Sequence, residues 1–543
     1  MGTKTKIMIL SSAGVLFLLL AVPFWQWIPD DAYISFEYAR NLATGDGLVF
    51  NPGERVEGFS NLLWTLILAL AARLGGDIEL IARLISMAAA LASLGLILAL
   101  LLPRREAKDS VIEADATPTI AALMIVSGCF FPLAFYATAG LETAFYLLCL
   151  LTGAVCHLKA VNRRTVRLHY VSLFAFLAAA MLRPEGVGFL IINVAFLLLR
   201  RKRIPMGVLL TGAAVLLGYA AIVVIKYEYF GNIVPNTYFA KPGASWHYLT
   251  PLFRGLRYLI RFFVTSGLLL LLPFVFFVPK SRGQRYAWVY LFSFAACQLA
   301  FILFVGADIL RFDRFAVPLY PWIIGLASLG ALGGPQKPYA PSRTALKRTL
   351  IVCAALIVLL NGIRVVRAHR KYCVHDWMHA RAHCEIGRFL GKVLPQGGGI
   401  VANEIGAIRY HSGHAVLDML GLTDSTVSAI RYESFQTYGI GSSPWSTVSV
   451  TRYLFDQDPE CVLLPSLEIL SLDDKTEHQS TMHPLWYTIF TEPRLDRGYR
   501  PICYFQIHPA KFLYVFVRND VGIELEPSDL PHGRCLESRL IRE

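Results

Sequence analysis

Residues 30–61 read DDAYISFEYARNLATGDGLVFNPGERVEGFSN, directly after an apolar run, Ile7 to Ile28, long enough to cross a bilayer. Two adjacent carboxylates, Asp30 and Asp31, therefore stand where a membrane helix ends. Charge at that depth is costly unless it is paired or used, which makes the pair candidate catalytic residues. The plainer reading is a cap, because Asp is favoured just before a helix and a short amphipathic segment, Tyr33 to Leu42, begins there. One Asp is expected to cap and the other to stay free. Tyr33, Phe36 and Leu42 are available to one face of that segment, with Glu37 and Arg40 on others. A glycine-punctuated loop, GDGLVFNPGERVEGF, follows.

The rest of the chain fits a membrane setting. Of 543 residues, 55% are hydrophobic and only 16% charged, and the mean hydropathy is +0.51. That composition excludes an ordinary soluble enzyme. The net charge of +13 invites a nucleic-acid partner, but the basic residues lie in short loops between apolar runs, which is topology information. MGTKTK could open a signal peptide, yet no small-x-small cleavage site follows, so the first run reads as an uncleaved span.

Apolar runs near 7–28, 78–102, 119–136, 143–158, 168–182, 186–199, 206–225, 262–278, 286–305, 315–333 and 349–363 give about eleven crossings. With the N-terminus inside, PRREAK, KAVNRRTVR, RRKR, PKSRGQR and QKPYAPSRTALKR all fall on the cytoplasmic side. The opposite side receives the first external loop (29–77), GLET, RPEG, GNIVPNTYFAK and GADILRFDRF. This assignment requires Asn61 to Leu74 to be too short to span, an interfacial or re-entrant helix.

Residues 1–364 thus form a transmembrane module, and 365–543 a soluble α/β domain outside the membrane, large enough for its own core. In that domain the pattern predicts helices at 381–394 and 405–410. It predicts strands at 400–402, 415–418, 461–464 and 512–517. GGGIVANEIG is no dinucleotide fingerprint, since its glycines precede the strand. Five cysteines (129, 149, 156, 297, 353) read as packing residues in the spans. The other five (373, 384, 461, 503, 535) permit a disulfide outside, with at least one thiol left over. Cys373, Cys384, His375, His379 and His383 match no standard zinc spacing.

The aspartate stretch, together with GLET (140–143), RPEG (183–186), GNIVPNTYFAK (231–241), GADILRFDRFAVPLYP (306–321) and DMLGLTD (418–424), resembles polytopic glycosyltransferases of the GT-C type. It looks closest to the branch of terminal arabinofuranosyltransferases and their Gram-negative relatives. The resemblance implies two juxtamembrane helices in the first external loop, and 33–42 and 61–74 look like those two. It implies an acidic residue of that loop as base, matched by the leading DD without choosing between Asp30 and Asp31. An inverting displacement on a polyprenyl-phosphate-linked sugar, arabinofuranose or a similar pentose, is further implied. The acceptor would be an extracytoplasmic glycan, a lipid-linked glycan or a protein, and the site would be the bacterial inner membrane with catalysis on the periplasmic face. Some members of the type need a divalent cation (Mg, Mn or Ca) and others do not, so no cofactor is assigned.

Such a reaction needs a base for the acceptor hydroxyl and cationic groups for the departing phosphate. Arg40, Arg55, Arg183, Lys241, Arg311 and Arg314 lie on the right side, and arginine's fork suits phosphate. The bland alternative for each is snorkelling to lipid headgroups, and for Arg183 a local pair with Glu185. Asp308, Arg311, Asp313 and Arg314 alternate in sign and could pair among themselves. Glu142 could orient an acceptor, assist a metal or cap its helix. Tyr33, Glu57, Asn61, Glu185 and Asn236 complete the candidate substrate-binding set. Asp46, Glu54 and Glu57 could join the DD pair around a cation. Trp25, Trp27, Tyr33, Phe59, Trp64, Tyr238 and Trp246 fit an interfacial belt better than sugar stacking. A polyprenyl-linked glycan transporter or flippase, or a glycan-binding homologue without activity, are the competing classes. Polar groups gathered at one end of the spans favour the enzyme over the transporter.

Overall fold

A computed structural model describes residues 1–102, 110–240, 249–308, 310–333, 343–370, 377–438, 442–471, 475–508, 511–523, 525, 529–530 and 537–541. The first helices are α1 (Thr3–Ala21), α2 (Asp30–Thr44), α3 (Leu62–Arg73) and α4 (Ile78–Leu101). With 12 residues, α3 is about 18 Å long at 1.5 Å per residue, well short of a bilayer core of roughly 30 Å. Its length is that of a non-spanning helix, the property the topology asked of it.

Then come α5 (Ser110–Gly128), α6 (Phe131–Tyr136), α7 (Thr143–Arg163), α8 (Val166–Leu182), α9 (Gly186–Leu199) and α10 (Met206–Phe230). The bundle closes with α11 (Asn236–Ala240), α12 (Leu249–Ser266), α13 (Leu272–Val275), α14 (Arg282–Val305), α15 (Leu319–Gly333) and α16 (Arg343–Ala368). Among the described residues, seven helices are long and apolar enough to cross a membrane, or eight if α12 and α13 make one bent span. Ala116–Gly128, α8 and α9 are apolar but shorter.

Two expected spans are not single helices. The run 119–136 breaks after Gly128, because Pro132 has no N–H to give the ladder and the Phe131 amide turns to the Asn361 side chain. The run 262–278 bends by 85° at Gly267, whose φ of 75° is open to glycine and strained for other residues. Burial separates inner from outer helices. Nearly all residues of the span Arg314–Gly333 are buried, whereas few of Met206–Phe230 are, and Leu210, Leu217 and Ile225 are exposed to the lipid side.

Past α16 the chain builds a mixed α/β unit with α17 (Trp377–Val393), β1 (Gly399–Ala402), α18 (Gly406–Ser412), β2 (Ala415–Asp418), α19 (Ser425–Tyr438), α20 (Pro444–Asp456) and β3 (Cys461–Ser466). It ends with α21 (Pro484–Phe490), α22 (Pro493–Gly498), β4 (Tyr499–His508), β5 (Lys511–Arg518) and β6 (Glu537–Leu540). The six strands lie in the order β2-β1-β3-β5-β4-β6. β1 pairs parallel with β2 and β3, and the remaining pairs are antiparallel. β1 is apolar throughout because both faces are covered. Ile400 and Ala402 enter one core with α17 residues Ile386 and Phe389, and Val401 enters the other with Leu454 of α20. All described cysteines are free thiols. Cys373, Cys535 and His375 lie outside the described residues.

Candidate active site

α2 is the joint between the two halves. Ala32, Tyr33, Phe36 and Ala39, at helical spacing, enter the core of the membrane bundle. Ile34 and Tyr38, one turn apart on another face, enter the core of the sheet-bearing unit. Polar groups fix the same contact. Glu37, fully buried, lies 2.5 Å from Arg40 and 3.1 Å from Arg409 of α18. Arg40 also donates to the Tyr410 carbonyl. Asn51 exchanges two hydrogen bonds with the backbone of Val416, 3.0 and 3.1 Å, and so extends the outer edge of β2. Asn51→Ala is expected to lose both and lower stability by about 1–3 kcal/mol in a thermal melt, because the strand's amide and carbonyl stay buried without partners.

The two aspartates separate in role. Both lie in the first turn of α2, whose N-cap is Pro29, so the helix begins at Asp30 itself and neither carboxylate caps the segment at Tyr33. Asp30 caps a different helix. Its two oxygens accept the amide hydrogens of Gly406 and Ala407 at the start of α18, each at 2.8 Å, from a residue 376 positions away. Asp31 makes no hydrogen bond or ion pair among the described residues and stays half-exposed. A Cβ on Gly406 would stand 2.2 Å from the Asp30 carbonyl oxygen. Gly406→Ala is therefore expected to pry α18 off α2 and lower stability by about 1–3 kcal/mol, read by a melt of the purified protein.

Glu404, two residues before α18, faces the same pair. Burial, and then the neighbouring Asp30 and Asp31, push its carboxyl up to about 8. Burial also pushes Asp30 up to about 6 against the pull of the two amides. Unfolded, these groups titrate near 4.5 and 3.8, so the folded chain holds extra protons in between. Stability should accordingly fall as pH rises from about 4 through 8. A thermal midpoint measured across that range is expected to decline, and Glu404→Gln to flatten the slope.

A second polar layer closes the bundle beneath them. Arg183 reaches Glu142 at 2.8 Å and Glu185 at 2.5 Å, all three buried. Asn61 donates to the other Glu142 oxygen at 3.0 Å and shares a hydrogen bond with Ser35 of α2. Burial opposes charge on Glu142, yet Arg183, Arg314 and Asn61 together hold its carboxyl below the usual range. Its side chain makes no cap at α7, against the expectation of a capping role. Arg314 grips Asp308 with two nitrogens, at 2.9 and 3.2 Å. It is delivered by a tight turn in which Phe312 and Asp313 have φ of 64° and 60°, uncommon for non-glycine residues. Arg261 and Arg364 hold that turn through Asp313, at 2.7 and 2.6 Å. The Tyr136 hydroxyl donates to the Arg311 carbonyl from the same layer. Arg314 and Tyr136 both feel the charge of Asp31. At the bundle's other end Arg200 stacks on Tyr286, which bonds His157.

Asn61, Glu142, Arg183, Glu185, Asp308, Arg311 and Arg314 are thus brought together under Asp31. The other candidates are engaged at the joint. Arg40 pairs with Glu37, Arg55 lies over the Tyr229 ring, and Glu57 pairs with Lys226. Tyr33 accepts from the Cys384 thiol, and Asn236 donates to the carbonyls of Gly421, Leu422 and Asp424 within DMLGLTD. Lys241 and Trp246 lie outside the described residues. Asp46 and Glu54 bond Thr44 and Asn51 instead of approaching the DD pair, and no group of three metal-ligating side chains occurs among the described residues. Trp64 and Phe59 are core residues rather than a belt, with the Trp64 indole donating to Gly140. Glu404 is the group the sequence reading missed. Its position directly after a buried strand of a parallel pair is the signal that marks it.

Comparison with known proteins agrees with this picture. Residues 372–516 match a family described as a domain of unknown function (DUF8728). A terminal beta-(1->2)-arabinofuranosyltransferase of Mycobacterium tuberculosis is 30% identical over 235 residues, 41% of this chain and 36% of its own. The Corynebacterium glutamicum protein of the same name is 28% identical over 347 residues, 55% of this chain and 48% of its own. The matches thus span less than half of either relative's length. A solved structure, ArnT from Cupriavidus metallidurans bound to undecaprenyl phosphate, covers 97% of this chain and all of its own with a TM-score of 0.51 at 10% identity. The fold is therefore that of the GT-C type.

Proposed function

We propose that the chain is an integral-membrane glycosyltransferase moving a sugar from a polyprenyl-phosphate donor to an extracytoplasmic glycan, lipid-linked or protein acceptor. The observation that carries this is the division of labour at the head of α2, where Asp30 is tied to α18 and Asp31 stays open above Arg314. Asp31 takes the proton from the acceptor hydroxyl. The freed oxygen attacks the anomeric carbon as its bond to the phosphate oxygen breaks, and the phosphate leaves with the electron pair. Arg314 keeps Nη1 outside its fork with Asp308, and Arg183 keeps Nη2 outside its contacts with the two glutamates. Those nitrogens meet the charge growing on the phosphate. The attack comes opposite the leaving group, which inverts the anomeric centre.

The relatives' name supports arabinofuranose or a similar pentose as the donated sugar, and the lipid in the ArnT structure supports a polyprenyl carrier. The basic loops at the end away from Asp31 favour an inner-membrane protein with the site on the periplasmic face. Purified protein in lipid nanodiscs, offered a panel of radiolabelled polyprenyl-phosphate sugars and a glycan acceptor, is expected to move label from lipid to acceptor. Label that crosses a vesicle membrane still attached to its lipid would mark a transporter instead.

A further inference from the structure

At the carboxyl ends of the parallel strands β1 and β3, a cleft opens on the sheet-bearing unit. In open α/β sheets that end is where ligands are received, because the loops there diverge and leave a crevice. Asn403 and Glu404 follow β1 on one wall, Ser466 ends β3, Lys511 begins β5, and Trp486 of α21 forms another wall. Four polar groups in this cleft are uncommitted among the described residues. The Trp486 indole N–H is buried and has no hydrogen-bond partner among them. The side chains of Asn403, Glu404 and Lys511 make no hydrogen bond or ion pair among the described residues. Ser466 differs, since its hydroxyl is already bonded to Glu468. A buried donor without a partner is costly, so its presence beside three uncommitted polar groups points to a ligand that supplies the partners.

We propose that this cleft is a subsite for a neutral sugar unit of the acceptor glycan. It rests on the transferase reading above. An aromatic wall presents a face for the C–H side of a sugar ring. A carboxyl and an amide each donate to and accept from neighbouring hydroxyls, and the ammonium of Lys511 adds further donors. Its position says which substrate it serves. Glu404 faces both the cleft and the Asp30–Asp31 pair, so a glycan seated against Trp486 runs toward the base. The donor's long apolar tail instead needs the lipid-facing bundle. A carboxyl that keeps its proton into the neutral range, as Glu404 does, donates to one hydroxyl and accepts from another.

The test is direct binding, which is independent of turnover. Titration of an arabino-oligosaccharide into the full-length protein in nanodiscs is followed by calorimetry and by tryptophan fluorescence. Wild type is expected to bind saturably. Glu404→Ala and Asn403→Ala should weaken binding at least tenfold. Trp486→Phe, which keeps the ring and deletes the N–H, should weaken it several-fold and remove the fluorescence change. Trp445→Phe, on an exposed turn of α20, should change neither. Melting profiles and donor-lipid binding that match wild type establish that the variants are folded. Unaltered oligosaccharide affinity in all three cleft variants, or no saturable binding to wild type, overturns the subsite. If Asp31→Asn still transfers sugar while the cleft variants lose binding, the assignment of the base fails and the subsite stands.

Discussion

Asp31→Asn is expected to lower sugar transfer by about a hundred- to ten-thousand-fold while leaving donor affinity within about twofold, because general-base removal acts on the transition state and not on lipid binding. The neighbouring Asp30→Asn should behave differently. Asparagine still offers one oxygen to the Gly406 and Ala407 amides, but loses the second acceptor and the negative charge that suits a helix N-terminus. Its main effect is a stability loss of about 1 kcal/mol, with a rate effect far smaller than at Asp31. Two adjacent residues of one type thus give opposite profiles. Turnover at saturating donor and a melt of each variant check the contrast.

Arg183→Met should be the most damaging substitution for stability. It strips the only cation bonded to both Glu142 and Glu185 among the described residues, in a site where all three side chains are buried. Breaking such a pair from one side typically costs about 3–5 kcal/mol, since a charge is left in low dielectric with nothing opposite it. Arg183→Lys should rescue little, because a single ammonium cannot reproduce a fork that meets one carboxylate at Nε and another at Nη1. Glu142→Gln and Glu185→Gln in the Arg183→Met background should restore much of the loss, since neutral amides need no counter-charge. Thermal midpoints of the single, paired and triple variants give the coupling.

Much of this was written in local patterns. The apolar runs, the short α3 and the strands β1, β2, β3 and β5 are legible because period and length alone determine them. The shared face of Tyr33 and Phe36 emerged as drawn, and Leu42 packs against the same core. Breaks inside apolar runs were not legible, since the bend at Gly267 and the stop before Pro132 depend on what packs across from them. β4 carries Pro501 and mixes polar with apolar residues, so its strand character comes from pairing with β5 and β6. The DD pair was found, but its division was not, because the amides that claim Asp30 belong to residues nearly four hundred positions away. Arg40, Glu57 and Asn236 read as substrate ligands on charge and motif alone. Their partners are far away in sequence: Arg40 donates to the Tyr410 carbonyl and Asn236 to the DMLGLTD carbonyls once the two halves of the chain dock, and Glu57 meets Lys226 only when α10 packs beside the first loop.

The central claim, that an unpaired Asp31 activates an acceptor for attack on a polyprenyl-phosphate sugar, has one direct measurement. Single-turnover transfer from a radiolabelled polyprenyl-phosphate pentose is followed in nanodiscs across pH for wild type and Asp31→Asn, with bound donor counted in parallel. The account predicts that both proteins retain donor and only wild type moves label. Equal transfer by the two proteins, with donor bound to both, would contradict it.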